Sequence, residues 1–146
     1  MNSGFDSGRC GADGGFPQRE RLTRVFEAVG STVWPSLSFQ AENGGSIFAS
    51  RMLASILILA YSRGRFASEE IEEACRIEDD FRYLCSSDAP EARVFRRFRR
   101  VHAKPLIESL VNLSDPGEVA GSSTALERAQ RCLDLAVAAD SLALDF

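Results

Sequence analysis

MLASILILAY, Met52 to Tyr61, is the longest apolar run in the chain, and its reading decides the fold. A membrane-spanning helix needs roughly 20 apolar residues. This run has ten, with Arg51 and Arg63 close on either side. It is therefore read as a core helix rather than a membrane anchor. Because it is apolar nearly all round, the helix from about Ser50 to Tyr61 is expected at the centre of the fold. SRGR, Ser62 to Arg65, should end it, with Gly64 free to take the left-handed conformation of a helix stop.

The segments on either side follow helical spacing. Upstream, Leu22, Val25, Phe26 and Val29 repeat at helical intervals and Gly30 stands where a stop is expected. STVWPSLSFQAENGGS, Ser31 to Ser46, reads as a loop with aromatic plugs, and Trp34 as a packing residue. Downstream, Ser68 is a candidate N-cap, with Glu69 and Glu70 complementing the helix dipole. Ile71, Ala74 and Cys75 make an apolar face that Phe81, Leu84 and Cys85 continue after a break near Glu78-Asp79-Asp80. SSDAP, Ser86 to Pro90, is a turn, and Asp115-Pro116-Gly117 and Gly121-Ser122-Ser123 have linker chemistry. A last helix should begin at Thr124, which with Glu127 matches a capping box. Leu126, Ala129, Leu133, Ala136 and Val137 form its apolar stripe.

No period-2 run of useful length appears, so the expected class is all-α. The architecture expected is a compact multi-helix, helix-turn-helix-like domain with a disordered N-terminal tail and a C-terminal helix. The boundaries read are a tail over 1–20, a helical domain over 21–113, and a linker with the last helix over 114–146.

A chain of 146 residues suits one ordinary domain. With 17 Lys and Arg against 21 Asp and Glu, it carries formal net charge -4, which excludes wholesale coating of nucleic acid by net charge. Any nucleic-acid binding must come from a local patch. The N-terminus has no apolar region after a basic start, so it does not read as a signal peptide. Cysteines stand at 10, 75, 85 and 132 without a C-x-x-C pair and with a single histidine, His102. Free thiols in a reducing cytoplasm are expected, with no metal site, cofactor or membrane association.

The local patch is RVFRRFRRVHAK, Arg93 to Lys104, with six Lys or Arg in twelve residues and no acid. Arg93, Arg97, Arg100 and Lys104 fall on one helical stripe, Arg96 and Arg99 flank it, and Val94, Phe95, Phe98 and Val101 oppose it. Like charges at these spacings repel, by about 0.2–0.5 kcal/mol per pair on an isolated helix. Arginine outnumbers lysine, and its planar fork suits phosphate oxygens and guanine edges. His102 beside the block is read as a phosphate contact or a helix-surface residue. The bland reading stands next to this one: EEIEEACRIEDD, Glu69 to Asp80, holds seven acids and one base, and could neutralise the arginines within the fold.

Four segments in order then carry a family resemblance: GGSIFASRML (Gly44 to Leu53), LILAYSRG (Leu57 to Gly64), ASEEIEEACRIEDDFRYLC (Ala67 to Cys85) and APEARVFRRFRRVH (Ala89 to His102). Together they resemble the InsH transposase N-terminal domain family, the N-terminal region of bacterial insertion-sequence transposases. The departures are Ser50 for a usual proline, Glu69 for an arginine, and Glu91-Ala92 for Asp-His after the proline turn. Pro105 also interrupts what is normally a continuing helix, so the basic helix should end or kink near Ala103. The resemblance implies binding of double-stranded DNA at the terminal inverted repeats of an element.

In full-length relatives the cleavage chemistry resembles two-metal phosphoryl transfer, with three carboxylates on a separate downstream domain. Residues 114–146 offer a linker and one helix, and Asp115, Asp140 and Asp145 are assigned no catalysis. The expectation is a non-catalytic, stand-alone or truncated DNA-binding module. Arg93, Arg96, Arg97, Arg99, Arg100 and Lys104 would contact DNA, and a second copy or a full-length transposase would be the protein partner. The alternative is a helical protein-interaction or dimerisation domain without DNA binding.

Overall fold

A computed structural model of the protein describes residues 15–40, 46–113 and 123–144, with side chains over 20–40, 46–113 and 125–141. Of the tail expected over 1–20, residues 1–14 lie outside the described residues and 15–20 are helical instead; the Gly44-Gly45 turn, the Asp115-Pro116-Gly117 linker, Cys10 and Asp145 also lie outside the described residues. Among the described residues the chain is all-α with one short hairpin. The helices are α1 (Gly15–Gly30), α2 (Ser50–Ser62), α3 (Ser68–Ile77), α4 (Asp79–Leu84), α5 (Ala92–Val101), α6 (Ala103–Asn112) and α7 (Ser123–Leu144).

The apolar run is the axle of the fold. In α2 every side chain from Leu53 to Tyr61 is buried, and α1, α3, α4, α5 and α6 all pack on it. Its end is closed by a Schellman motif. Gly64, at φ 77°, donates its N–H to the Tyr61 carbonyl at 3.0 Å, and Arg65 donates to Ala60 at 2.9 Å. The turn after it carries Arg63 and Arg65 over the Phe81 ring at 5.6 and 5.9 Å, and ion-pairs them to Asp80 and Glu78. Glu78 separates α3 from α4 in extended conformation, where the acidic break was expected.

Three readings of local structure need correction. The loop before α2 holds two strands, β1 (Ser38–Gln40) and β2 (Ile47–Ala49), paired antiparallel with Phe39 opposite Phe48. Each strand offers one buried residue between two exposed ones, too short for alternation to register in a sequence window. Ser68 is the first helical residue of α3 rather than its cap; Ala67 holds the N-cap position and makes no side-chain cap. In α1, Val25, Ala28 and Val29 are buried, whereas Phe26 is 44% exposed.

The last helix is also rotated from its expected face. Ala125, Ala129, Leu133, Ala136 and Asp140 are buried, while Leu126 and Val137 are exposed. An aspartate, scored as polar, holds the final turn of the buried stripe, so apolarity alone points one residue off. The helix begins at Ser123, one residue before the expected Thr124, whose side chain lies outside the described residues.

Candidate nucleic-acid interface

Helix α5 is held by its apolar side. Val94, Phe95 and Phe98 are buried, and Phe98 sits at the centre of an aromatic cluster. Trp34 stacks on it at 5.9 Å between centroids, Phe39 meets it edge-on at 5.2 Å, and the His102 ring lies 4.8 Å away. Trp34 is thus the packing residue the sequence suggested, its indole N–H donating to the Val29 carbonyl at 3.2 Å. The hairpin joins through Phe39, which also reaches His102 at 5.8 Å.

His102 is not on the helix surface. It is 5% exposed, closes α5 as its C-cap residue, and its Nδ1 finds no hydrogen-bond partner among the described residues. Burial among rings disfavours the imidazolium and holds its pKa below the ordinary histidine value. The break at His102 also removes Lys104 from the α5 stripe. Pro105 occupies the first turn of α6, where a missing N–H costs no helical bond, so a new helix starts instead of a kinked old one. Lys104 is exposed at that start, without an ion pair to any described residue.

The five arginines of α5 divide by position. Arg93, Arg97 and Arg100 are exposed along one face, as their i, i+4, i+7 spacing requires. Arg93 pairs with Glu91 at 2.6 Å; Arg97 and Arg100 make no ion pair with any described residue. Arg96, half-buried, pairs with Glu69 of α3 at 2.6 Å.

Arg99 does not belong to the outer face. It is 6% exposed and ion-paired to Asp140 of α7, itself 4% exposed. The Asp140 carboxylate also accepts from the Ser68 N–H and hydroxyl, both at 2.9 Å, so it caps α3 from a distance of 72 residues in sequence. Burial by itself lowers the Arg99 pKa, but the hydrogen bond to Asp140 and the field of Tyr61 and Asp140 outweigh it and leave it raised. Tyr61 lies alongside, its hydroxyl pushed by burial up to about 12. No spacing rule could place Asp140 here, because its partner is chosen by tertiary packing.

The acidic segment is occupied in part by other cations, while Glu70, Glu73 and Asp79 are exposed and make no ion pair with any described residue. Asp80 and Glu78 are taken by Arg63 and Arg65, and Glu72 by Arg76 one turn along α3. The other Glu72 oxygen accepts from the Ala92 N–H at 3.1 Å, capping α5 where its dipole is positive. Among the described residues, Arg96 is the one α5 arginine that ion-pairs with a carboxylate of the acidic helix. The remaining chemistry is sparse. Cys75 and Cys85 are buried free thiols, and burial with the neighbouring Cys85 sulfur pushes the Cys75 pKa up to about 12. Among the described residues no three His, Cys, Asp or Glu side chains are grouped to hold a metal, and no helix is long and apolar enough to cross a membrane.

Residues 13–101, about three-fifths of the chain, match the family described as Transposase domain (DUF772). The match covers α1 to α5 and ends at the last residue of the basic helix. No curated protein and no solved structure matches the chain.

Proposed function

This chain belongs to the transposase-domain family DUF772, and on that premise we propose that it is a DNA-binding module that engages the ends of an insertion-sequence element. The observation that carries the reading is the outer face of α5. Arg97 and Arg100 project beside Arg93 with no carboxylate among the described residues to meet them. Repulsion between the Arg97 and Arg100 guanidinium groups is a cost that no described carboxylate offsets and that an external anion lying against them would offset. Arg93, Arg97 and Arg100 then contact phosphates, Lys104 extends the track from the start of α6, and Arg96 flanks it. A fork from one of the exposed arginines is suited to a guanine edge.

In this reading the module binds double-stranded DNA at terminal inverted repeats, works in the cytoplasm without a cofactor, and contributes positioning rather than cleavage. Its protein partner is a second copy or a full-length transposase. The test is fluorescence anisotropy on a generic labelled duplex across a salt series. Affinity should fall with a log–log slope of about -0.9 per phosphate neutralised, and Arg97→Glu/Arg100→Glu should flatten the slope by about 2. A folded wild type that fails to bind at low salt refutes the proposal.

A second reading, a dimerisation domain, is favoured by the Arg96–Glu69 pair and by Leu126, Leu135 and Val137 exposed on α7. It predicts a dimer in sedimentation and no salt-dependent DNA affinity.

A further inference from the structure

The Arg99–Asp140 contact has the make-up of an oxyanion site with its occupant supplied by the chain. The Ser68 N–H opens the ten-residue helix α3, its hydroxyl donates beside it, and the Arg99 guanidinium closes the other side. A fourth donor stands unused. The Tyr61 hydroxyl lies beside Arg99 and Asp140, its residue is 4% exposed, and it has no hydrogen-bond partner among the described residues. The site is not sealed. A groove of about 380 Å³ between α5 and α7 reaches it, with Arg99 and Asp140 in its lining and Arg96, Arg100 and Gln130 beside them.

We infer that this is a second phosphate site for the DNA backbone, and that Asp140 occupies it as an internal competitor, so that α7 covers one margin of the DNA-binding helix. The inference rests on the DNA-binding reading above. Geometry supplies the continuity: at 3.6 residues per turn, Arg99, Arg96, Arg100, Arg93 and Arg97 follow one another around about 160° of α5. The outer four are open or rimmed by solvent, and the fifth is withheld by α7. Among the described side chains the buried face of α7 is Ala125, Ala129, Leu133 and Ala136, with Leu133 its one large apolar residue; the helix packs chiefly on α6, and Asp140 is its buried polar tie to α3 and α5. A phosphate replacing that carboxylate satisfies the same donors, so lifting α7 costs its packing on α6 and α3 but leaves no buried donor of the site unpaired. Helix α7 also lies wholly outside the family-matched residues.

The experiment uses the full chain. Hydrogen exchange read by mass spectrometry on wild type, with and without saturating generic duplex, should show amides of α7 losing protection when DNA binds. In the salt series, Asp140→Asn should bind several-fold more tightly than wild type with the same slope, because no internal carboxylate has to be displaced while the same phosphates are neutralised. Asp134→Asn, at an exposed aspartate on the same groove, makes the same charge change without opening the site and should leave the affinity close to that of wild type.

Wild type that binds DNA while α7 stays protected overturns the inference and leaves the DNA reading standing. An equal gain in affinity in both variants also overturns it, since the effect is then general charge. Binding by Asp140→Asn alone supports the cover in its strongest form, and binding by neither protein overturns both readings. Should Asp140→Asn fail to fold, exchange on wild type decides.

Discussion

Removing Asp140 should be the most damaging single change to a charged residue. Asp140→Ala leaves the Arg99 guanidinium buried without its carboxylate and takes from the α3 terminus the acceptor of the Ser68 N–H and hydroxyl. Breaking a buried ion pair from one side costs about 3–5 kcal/mol. Arg99 has an escape, because α7 can lift and let water reach it, so the lower end, about 3 kcal/mol, is expected. For a chain of this size that corresponds to a fall in Tm of roughly 12 °C, at ~4 °C per kcal/mol. Urea unfolding followed by far-UV circular dichroism measures it. The fluorescence of Trp34, the sole tryptophan and stacked on Phe98, reports the core in parallel. The control is Arg99→Met/Asp140→Leu. With both charges gone and the volume filled, the double variant should recover most of the loss, since an apolar replacement of a buried pair is often neutral or better. A loss below about 1 kcal/mol for Asp140→Ala would refute the reasoning, because an exposed pair costs that little.

Two further outcomes follow from single residues. His102 is buried neutral with its pKa below the unfolded value of about 6.5, so the unfolded chain binds the proton more readily. Stability should hold above about pH 6.5 and decline as the pH falls through that value toward the folded pKa. His102→Phe should remove that part of the decline in urea midpoints measured from pH 7.5 to 5. Gly64→Ala should cost about 1–2 kcal/mol, because Gly64 holds φ 77° in the helix stop while an added Cβ meets nothing within 4 Å. The loss would then be backbone strain alone, and Gly64→Asn should cost less in the same urea titration.

Much of the fold was legible because α2 is long, continuous and apolar, a signal that needs no tertiary information. Gly64 and the Glu78 break were legible for the same reason, since a left-handed stop and a helix interruption are local events. The hairpin was not, because three-residue strands fall below the length at which alternation differs from chance, and their stability comes from Phe39 and Phe48 meeting the core. The rotation of α7 escaped for a different reason. Its stripe ends in a buried aspartate, and a reading that scores burial by apolarity turns away from charge.

The basic helix shows where periodicity stops being informative. Spacing correctly separates Phe95 and Phe98 from Arg93, Arg97 and Arg100, because that division depends only on 100° per residue. It cannot separate Arg96, Arg99 and Arg100 from one another, since they share an arc and differ only in what other elements bring to them. Glu69 of α3 claims Arg96, Asp140 of α7 claims Arg99, and nothing described claims Arg100. The acidic segment does not absorb the block: Asp80, Glu78 and Glu72 go to Arg63, Arg65, Arg76 and the N-terminus of α5, and Glu70, Glu73 and Asp79 stand exposed without pairing to an α5 arginine. Net charge therefore says little about this surface. An acidic chain keeps a cationic face because its carboxylates pair with other cations or do not reach Arg97 and Arg100, and the one that reaches Arg99 arrives on a helix the family match does not include.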